Sequence, residues 1–242
     1  MFGDIWHTFF FDPVYNGLIL FIHNVPGGDV GLAIIGITIA VKLLLLPLSL
    51  KAARTQKVMR EIEPELKQLK ETHKDDREAQ AKAMMEVYKN VGLNPFASVV
   101  LLLVQIPIII SLYLAVYRGG GVPLPDINIE ILYSFITTPE VVNMMFLGML
   151  DVAGKSLPIA LLAGITQFIH AQMAFPKPEP RKEDAPQDFK SDFARTMQMQ
   201  MRYVMPIIIF FVAYSISAAI ALYFTVSNLM QIGQELLVRK HK

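Results

Sequence analysis

From Tyr203 to Gln234 the chain reads YVMPIIIFFVAYSISAAIALYFTVSNLMQIGQ, without one Asp, Glu, Lys, Arg or His. As a single helix rising 1.5 Å per residue it would reach about 48 Å. Bilayer hydrocarbon is about 30 Å thick and takes roughly 20 apolar residues to cross. The run is therefore too long for one span, and Tyr214-Ser215-Ile216-Ser217 is the place to divide it into two. Three further stretches have spanning length: Val30 to Leu50, interrupted by Lys42; Leu93 to Tyr117, uncharged; and Ser156 to Pro176, with His170 near its end. Val141 to Leu150 is apolar but too short to cross, and reads as a short interfacial helix. Of the 242 residues, 53% are hydrophobic and 18% charged, with a mean hydropathy of +0.43. That charge content lies below the roughly 25% of soluble domains, which favours an all-α membrane protein.

The basic residues test the division at 214–217 independently. Ten Lys or Arg lie between Lys51 and Lys89, and only Arg118 and Lys155 lie between the next two spans. Six more fall from Lys177 to Arg202, and the tail adds Arg239, Lys240 and Lys242. Basic loops are retained in the cytoplasm. Five transmembrane helices put every basic segment on one side, whereas four would export the basic tail. The expected orientation is N-terminus outside and C-terminus cytoplasmic.

Residues 1–28 are expected outside, with Ile5 to Ile22 as an N-terminal interfacial amphipathic helix. The first span is then 29–50, followed by a cytoplasmic segment at 51–92, a second span at 93–117 and an outer loop at 118–155. A third span occupies 156–176, a mobile cytoplasmic loop 177–198, the paired fourth and fifth spans 199–236, and a basic tail 237–242. Within 51–92, Val58, Ile62, Leu66 and Leu69 recur at helical spacing. His73-Lys74-Asp75-Asp76 reads as a turn, and a second helix runs to Gly92, predicting an antiparallel helical hairpin. Pro64 stands against an unbroken first arm. Met1 to Gly28 holds no Lys or Arg, so it does not read as a secretory signal.

Several function classes fall away. A net charge of +1 gives no reason to expect a nucleic-acid partner, and the absence of cysteine excludes thiolate metal sites and disulfides. No phosphate-cradling glycine loop, His-Glu-x-x-His, Gly-x-Ser-x-Gly or intramembrane aspartate pair is present. The expectation is a protein that is not an enzyme and uses no nucleotide, metal or other cofactor. Lys42, by contrast, lies about 12 Å in from the end of its span. A charge at the centre of a membrane helix costs about 2.5–3.5 kcal/mol and usually faces a wet cavity or bundle interior. Thr38, one turn earlier, shares its face; the competing reading is a lysine snorkelling to the headgroups. Gln105, Gln167, His170, Ser227 and Asn228 are also polar at membrane depth, a pattern that interhelical hydrogen bonds commonly explain. His170 lacks a second ligand at metal spacing. Met197, Met199, Met201 and Met205 suit packing or an adaptable contact surface.

Four stretches carry a family resemblance. They are Ile35-Gly36-Ile37-Thr38-Ile39-Ala40-Val41-Lys42 with Pro47-Leu48; Tyr88-Lys89-Asn90-Val91-Gly92-Leu93-Asn94-Pro95; Gln105-Ile106-Pro107-Ile108; and Leu222-Tyr223-Phe224-Thr225-Val226-Ser227-Asn228-Leu229. In this order and spacing the chain resembles the YidC/Oxa/Alb membrane protein insertases over nearly its whole length, in the minimal bacterial form without a large outer domain. The resemblance implies an insertase and chaperone of the bacterial plasma membrane. Its partners would be nascent membrane proteins and the lipid bilayer, with the Sec translocon and the ribosome as candidate associates. It further implies a hydrophilic intramembrane groove, with Lys42, Thr38, Tyr223, Gln105, Gln167, Ser227 and Asn228 as groove residues. The hairpin would recruit substrates, with Arg54, Lys57, Arg60, Glu61, Met84 and Met85 as its contact residues. Family members generally carry Arg where this chain has Lys42, and a lysine lacks the guanidinium fork. Ser215-Ile216-Ser217-Ala218 also departs from the Pro-Ser-Gly-type turn of bacterial relatives.

Two rivals belong to other classes. A small-molecule or ion transporter would use Lys42 as a substrate site, but no internal repeat of the transporter kind is visible. A passive membrane scaffold would neither insert protein nor move solute.

Overall fold

The computed structural model describes residues 2–74, 76–92, 97–118, 121–175, 177 and 196–240. They form helices with one small sheet, and the chain divides into two compact units. One comprises Met1–Leu44 with Gln105–Gly233, the other Leu45–Val104 with Gln234–Lys242.

The first unit begins with α1 (Phe2–Trp6), a π-helical turn at His7–Phe11 and α2 (Asp12–Asn24). Helix α3 (Val30–Leu44) packs on α2, joining Tyr15, Leu18, Ile19 and Ile22 to Val30, Ala33, Ile34 and Ile37 in one core. These side chains are fully or almost fully buried. Within the segment expected as an interfacial amphipathic helix, α2 turns one broad apolar face into this core, while Leu20 on its other side and Ile5 and Phe9 before it are exposed. The polar groups of α2 organise residues 128–133. Asn16 donates to the Ile131 carbonyl at 2.9 Å and accepts from the Tyr133 amide at 2.7 Å, and the Tyr15 hydroxyl accepts from Asn128 N–H at 2.9 Å.

Val141 to Leu150 is not the expected interfacial helix. It contains β1 (Met145–Phe146), paired antiparallel with β2 (Leu150–Asp151) in the register Met145↔Asp151 and Phe146↔Leu150. Leu147 and Gly148 both have positive φ, 52° and 70°, which turns the chain back within too few residues for a helical turn. The loop's helical piece is instead a short 3-10 turn at Ile129–Ile131. Buried Asp29 locks this hairpin to α3, accepting from Leu32 N–H at 3.0 Å and Leu147 N–H at 2.7 Å. Gly28 precedes it at φ +64°, where a Cβ would strike the Val141 carbonyl.

Helix α8 (Leu157–Ala174) packs on α9 (Thr196–Ile216), which contains a π-helical stretch at Gln200–Val204. Ala160, Ala163, Ala213 and Ala221 form the small-residue core there, allowing close backbone approach. Ser217 is extended, and α10 (Ala218–Lys240) starts immediately after it. The freed amides of this break find acceptors in the preceding loop: Ala218 N–H on Gly154 O at 2.8 Å and Ala219 N–H on Val152 O at 2.9 Å.

The expected first span does not run unbroken to Leu50. Helix α3 stops at Leu44, and α4 (Leu46–Glu61) continues past Leu50. Pro47 lies in the first turn of α4, where it lacks an N–H to continue the preceding ladder. Helix α7 (Ala97–Tyr117) carries Pro107 inside it. Among the described residues, Leu157–Ala174 and Thr196–Ile216 are long and apolar enough to cross a bilayer, and the broken pair α3 and α4 makes a third candidate.

In the second unit α4 is followed by α5 (Glu63–Thr72) and α6 (Arg77–Asn90). Pro64 occupies the first turn of α5 after a break at Ile62, which removes its conflict with a helix interior. Asp76 caps α6, accepting from the Glu78 and Ala79 amides at 3.0 Å each, and Gln80 Nε2 donates to Lys70 O at 3.0 Å. Asp75, most of the 177–198 loop and the end of the basic tail lie outside the described residues.

Candidate functional site

Lys42 occupies the last turn of α3 and is only 6% exposed. Its Nζ donates to Gln105 Oε1 on α7 at 2.9 Å. Gln105 Nε2 in turn donates to the hydroxyl of Tyr223 on α10, itself buried. Three helices distant in sequence thus meet through one hydrogen-bonded row inside the first unit. A neutral amide solvates the ammonium, and no carboxylate ion-pairs with it among the described residues. Thr38 lies one turn from Lys42 and is buried, but its hydroxyl bonds back to Ile34 O at 2.6 Å. Thr38 and Tyr223 line a void of about 10 Å³ with Val14, Ile37, Val41, Ile108 and Leu112. That is room for one water at most.

Of the remaining nominated groove residues, Ser227 lies one turn from Tyr223 on α10, and Asn228 turns to α8. Asn228 Nδ2 donates to Ala163 O and Thr166 Oγ1, each at 3.2 Å, so it clamps α10 to α8. Ser227 is buried and takes Gln231 Nε2 on its carbonyl at 3.3 Å and on its hydroxyl at 3.2 Å. Gln167 is half-buried on α8. His170, noted in the sequence as polar at membrane depth but not counted among the groove residues, has its Nδ1 buried without a partner among the described residues. The available signal was spacing: Ala163, Thr166, His170 and Ala174 recur at three and four residues along one face of α8.

Of the nominated recruitment residues, Arg54, Glu61 and Met85 are exposed, while Lys57 and Met84 are half-buried. Lys57 Nζ donates to Val238 O at 3.5 Å within the second unit. The side chain of Arg60 lies outside the described residues. No group of three or more His, Cys, Asp and Glu able to hold a metal is found among the described residues.

Comparison with known proteins bears on this arrangement. Residues 21–242 match the family described as 60Kd inner membrane protein. Among similar curated proteins is the membrane protein insertase YidC of Clostridium tetani, 30% identical over 215 residues, which are 89% of this chain and 84% of that protein. The insertase YidC of Pelobacter propionicus is 31% identical over 235 residues, 97% of this chain and 39% of that protein. That of Francisella tularensis subsp. novicida is 29% identical over 232 residues, 96% of this chain and 36% of that protein. The chain therefore spans most of the Clostridium relative and well under half of the other two.

Proposed function

The chain belongs to the 60Kd inner membrane protein family, that of the YidC insertases, and we propose that it takes nascent membrane proteins from the cytoplasm into the bilayer. In this reading five helices cross the membrane, with the N-terminus outside and the C-terminus cytoplasmic. Lys42, Gln105, Tyr223 and Thr38 line a polar intramembrane groove, with Gln167 and Ser227 beside them. The hairpin of α5 and α6, through residues such as Arg54, Lys57, Arg60, Glu61, Met84 and Met85, receives the substrate. The Sec translocon and the ribosome are candidate associates.

The observation that carries this reading is a buried ammonium solvated by an amide. Burying a charge without a counter-ion is costly, and the cost falls when an anion arrives. A carboxylate on a translocating tail supplies that anion while the tail is crossing, then leaves with it. A permanently paired lysine would gain nothing from such a tail. The driving free energy comes from burying the substrate's own apolar segment, about 25 cal/mol per Å². Neither a nucleotide nor a catalytic step is needed.

Reconstitution tests it. The full chain in liposomes is given a single-span substrate with an acidic tail, and the native form is compared with Lys42→Ala and Lys42→Arg. Insertion by the native and arginine forms with failure of the alanine form, at equal protein levels, is the expected result. Equal insertion by all three would reduce Lys42 to a structural residue, and insertion by none would overturn the insertase reading. The transporter rival predicts solute flux in the same liposomes instead.

A further inference from the structure

A second site lies away from Lys42, within the same unit. A cavity of about 400 Å³ opens where the N-terminal helices meet the end of α7, lined by Trp6, His7, Phe11, Leu114, Tyr117 and Arg118 among others. Its volume falls in the range of small-ligand pockets, about 300–1,000 Å³. One wall is aromatic and aliphatic. The rim is cationic: the Arg118 side chain is exposed and has no hydrogen-bond or ion-pair partner among the described residues. Of the lining residues, His7 is held through Nδ1 by the Asp12 carboxylate at 2.9 Å.

The surroundings indicate what reaches this cavity. Ile5 is 49% exposed and Phe9 69%, on the same N-terminal helical segment that supplies Trp6, His7 and Phe11. Exposed apolar side chains next to a Trp, a Tyr and an Arg at a helix end are the composition of a membrane–water boundary. A molecule entering from there has an apolar body and meets a cation at its polar end. A planar guanidinium with free donors suits a phosphate geometrically, two N–H groups to two oxygens.

We propose that this cavity binds one anionic phospholipid, its phosphodiester on Arg118 and its upper acyl chain against Trp6, Phe11 and Leu114. The site is independent of the Lys42 row and of the insertase reading. A bound lipid there fastens the N-terminal helices to the end of α7 from the membrane side.

Trp6 is the only tryptophan of the chain, so its fluorescence reports on this cavity alone. The full chain is reconstituted in phosphatidylcholine nanodiscs, and Trp6 quenching is followed as phosphatidylglycerol or phosphatidylcholine, each brominated on its acyl chains, replaces the host lipid. One basic residue near the surface favours an anionic lipid enough that half-quenching is expected at about fivefold less brominated phosphatidylglycerol than phosphatidylcholine. Arg118→Gln should erase that difference, and Arg118→Lys should keep most of it, with unchanged helix content in both. Soluble glycerol 3-phosphate should leave Trp6 emission unaltered; a saturable response to it would overturn the lipid assignment in favour of a free phosphate ester. Equal quenching by the two lipids, or a preference that survives Arg118→Gln, would overturn the site.

Discussion

Two polar clusters sit within the first unit, and they are built differently. Asn228, Thr166 and Ala163 O form a neutral clamp between α10 and α8. The Thr166 hydroxyl also bonds back to Leu162 O at 2.8 Å, so the donors used there end on acceptors of the same bundle. Lys42, Gln105 and Tyr223 form a row of similar length, yet one end of it is a cation with three donors and one acceptor among the described residues. A neutral cluster can close on itself and be finished. A buried cation solvated by a neutral amide retains an attraction for an anion, which is why the first cluster reads as construction and the second as a site.

Four substitutions would break or sharpen this contrast. The largest effect is expected from Lys42→Ala, where losing a contact to a charged group, about 1.5–3 kcal/mol, should lower insertion of an acidic-tailed substrate roughly ten- to hundredfold. The same variant should handle a substrate with a neutral tail much more nearly as the native protein does, which a paired insertion assay would read. Gln105→Leu comes next, because it removes the partner of Lys42 and of Tyr223 together. A stability loss of about 1–3 kcal/mol is expected, seen as a lower unfolding midpoint in detergent. Tyr223→Phe removes only the far acceptor and should cost about 1 kcal/mol in the same measurement. Asn228→Leu should be of comparable size in stability, about 0.6 kcal/mol for each of its two interhelical hydrogen bonds, and mildest in activity. Insertion by that variant should stay near native, and a drop as deep as that of Lys42→Ala would place the clamp inside the proposed groove.

Some of this could be read directly from residue order. The length of the uncharged run from Tyr203 demands a division, and the chain divides at Ser217. Lys42 is conspicuous because its neighbours are not charged. Pro64 announces an interruption, whereas Pro47 does not by itself end the stretch Val30 to Leu50; the structure puts each in the first turn of a new helix, where a missing N–H costs nothing. Other features were illegible for physical reasons. The apolar run Val141–Leu150 has no periodicity long enough to distinguish helix from strand. Its outcome depends on Asp29, more than a hundred residues earlier, which accepts from Leu147 N–H. His170 reads as an ordinary lone histidine near a span end, and only the packing of α8 shows its Nδ1 buried without a partner among the described residues.

What residue order determined by itself is the material: apolar helices, a single cation among them, and basic segments spaced so that one side of a membrane can hold them all. Those follow from transfer free energies, which are properties of each stretch alone. The tertiary structure decided the pairings. Gln105 accepts from Lys42, the amides of α10 close on Gly154 and Val152, and Asn16 holds the chain at Ile131 and Tyr133. Each joins groups remote in sequence through a hydrogen bond whose geometry tolerates only a few tenths of an ångström. A composition cannot encode such a distance, and a packed core can.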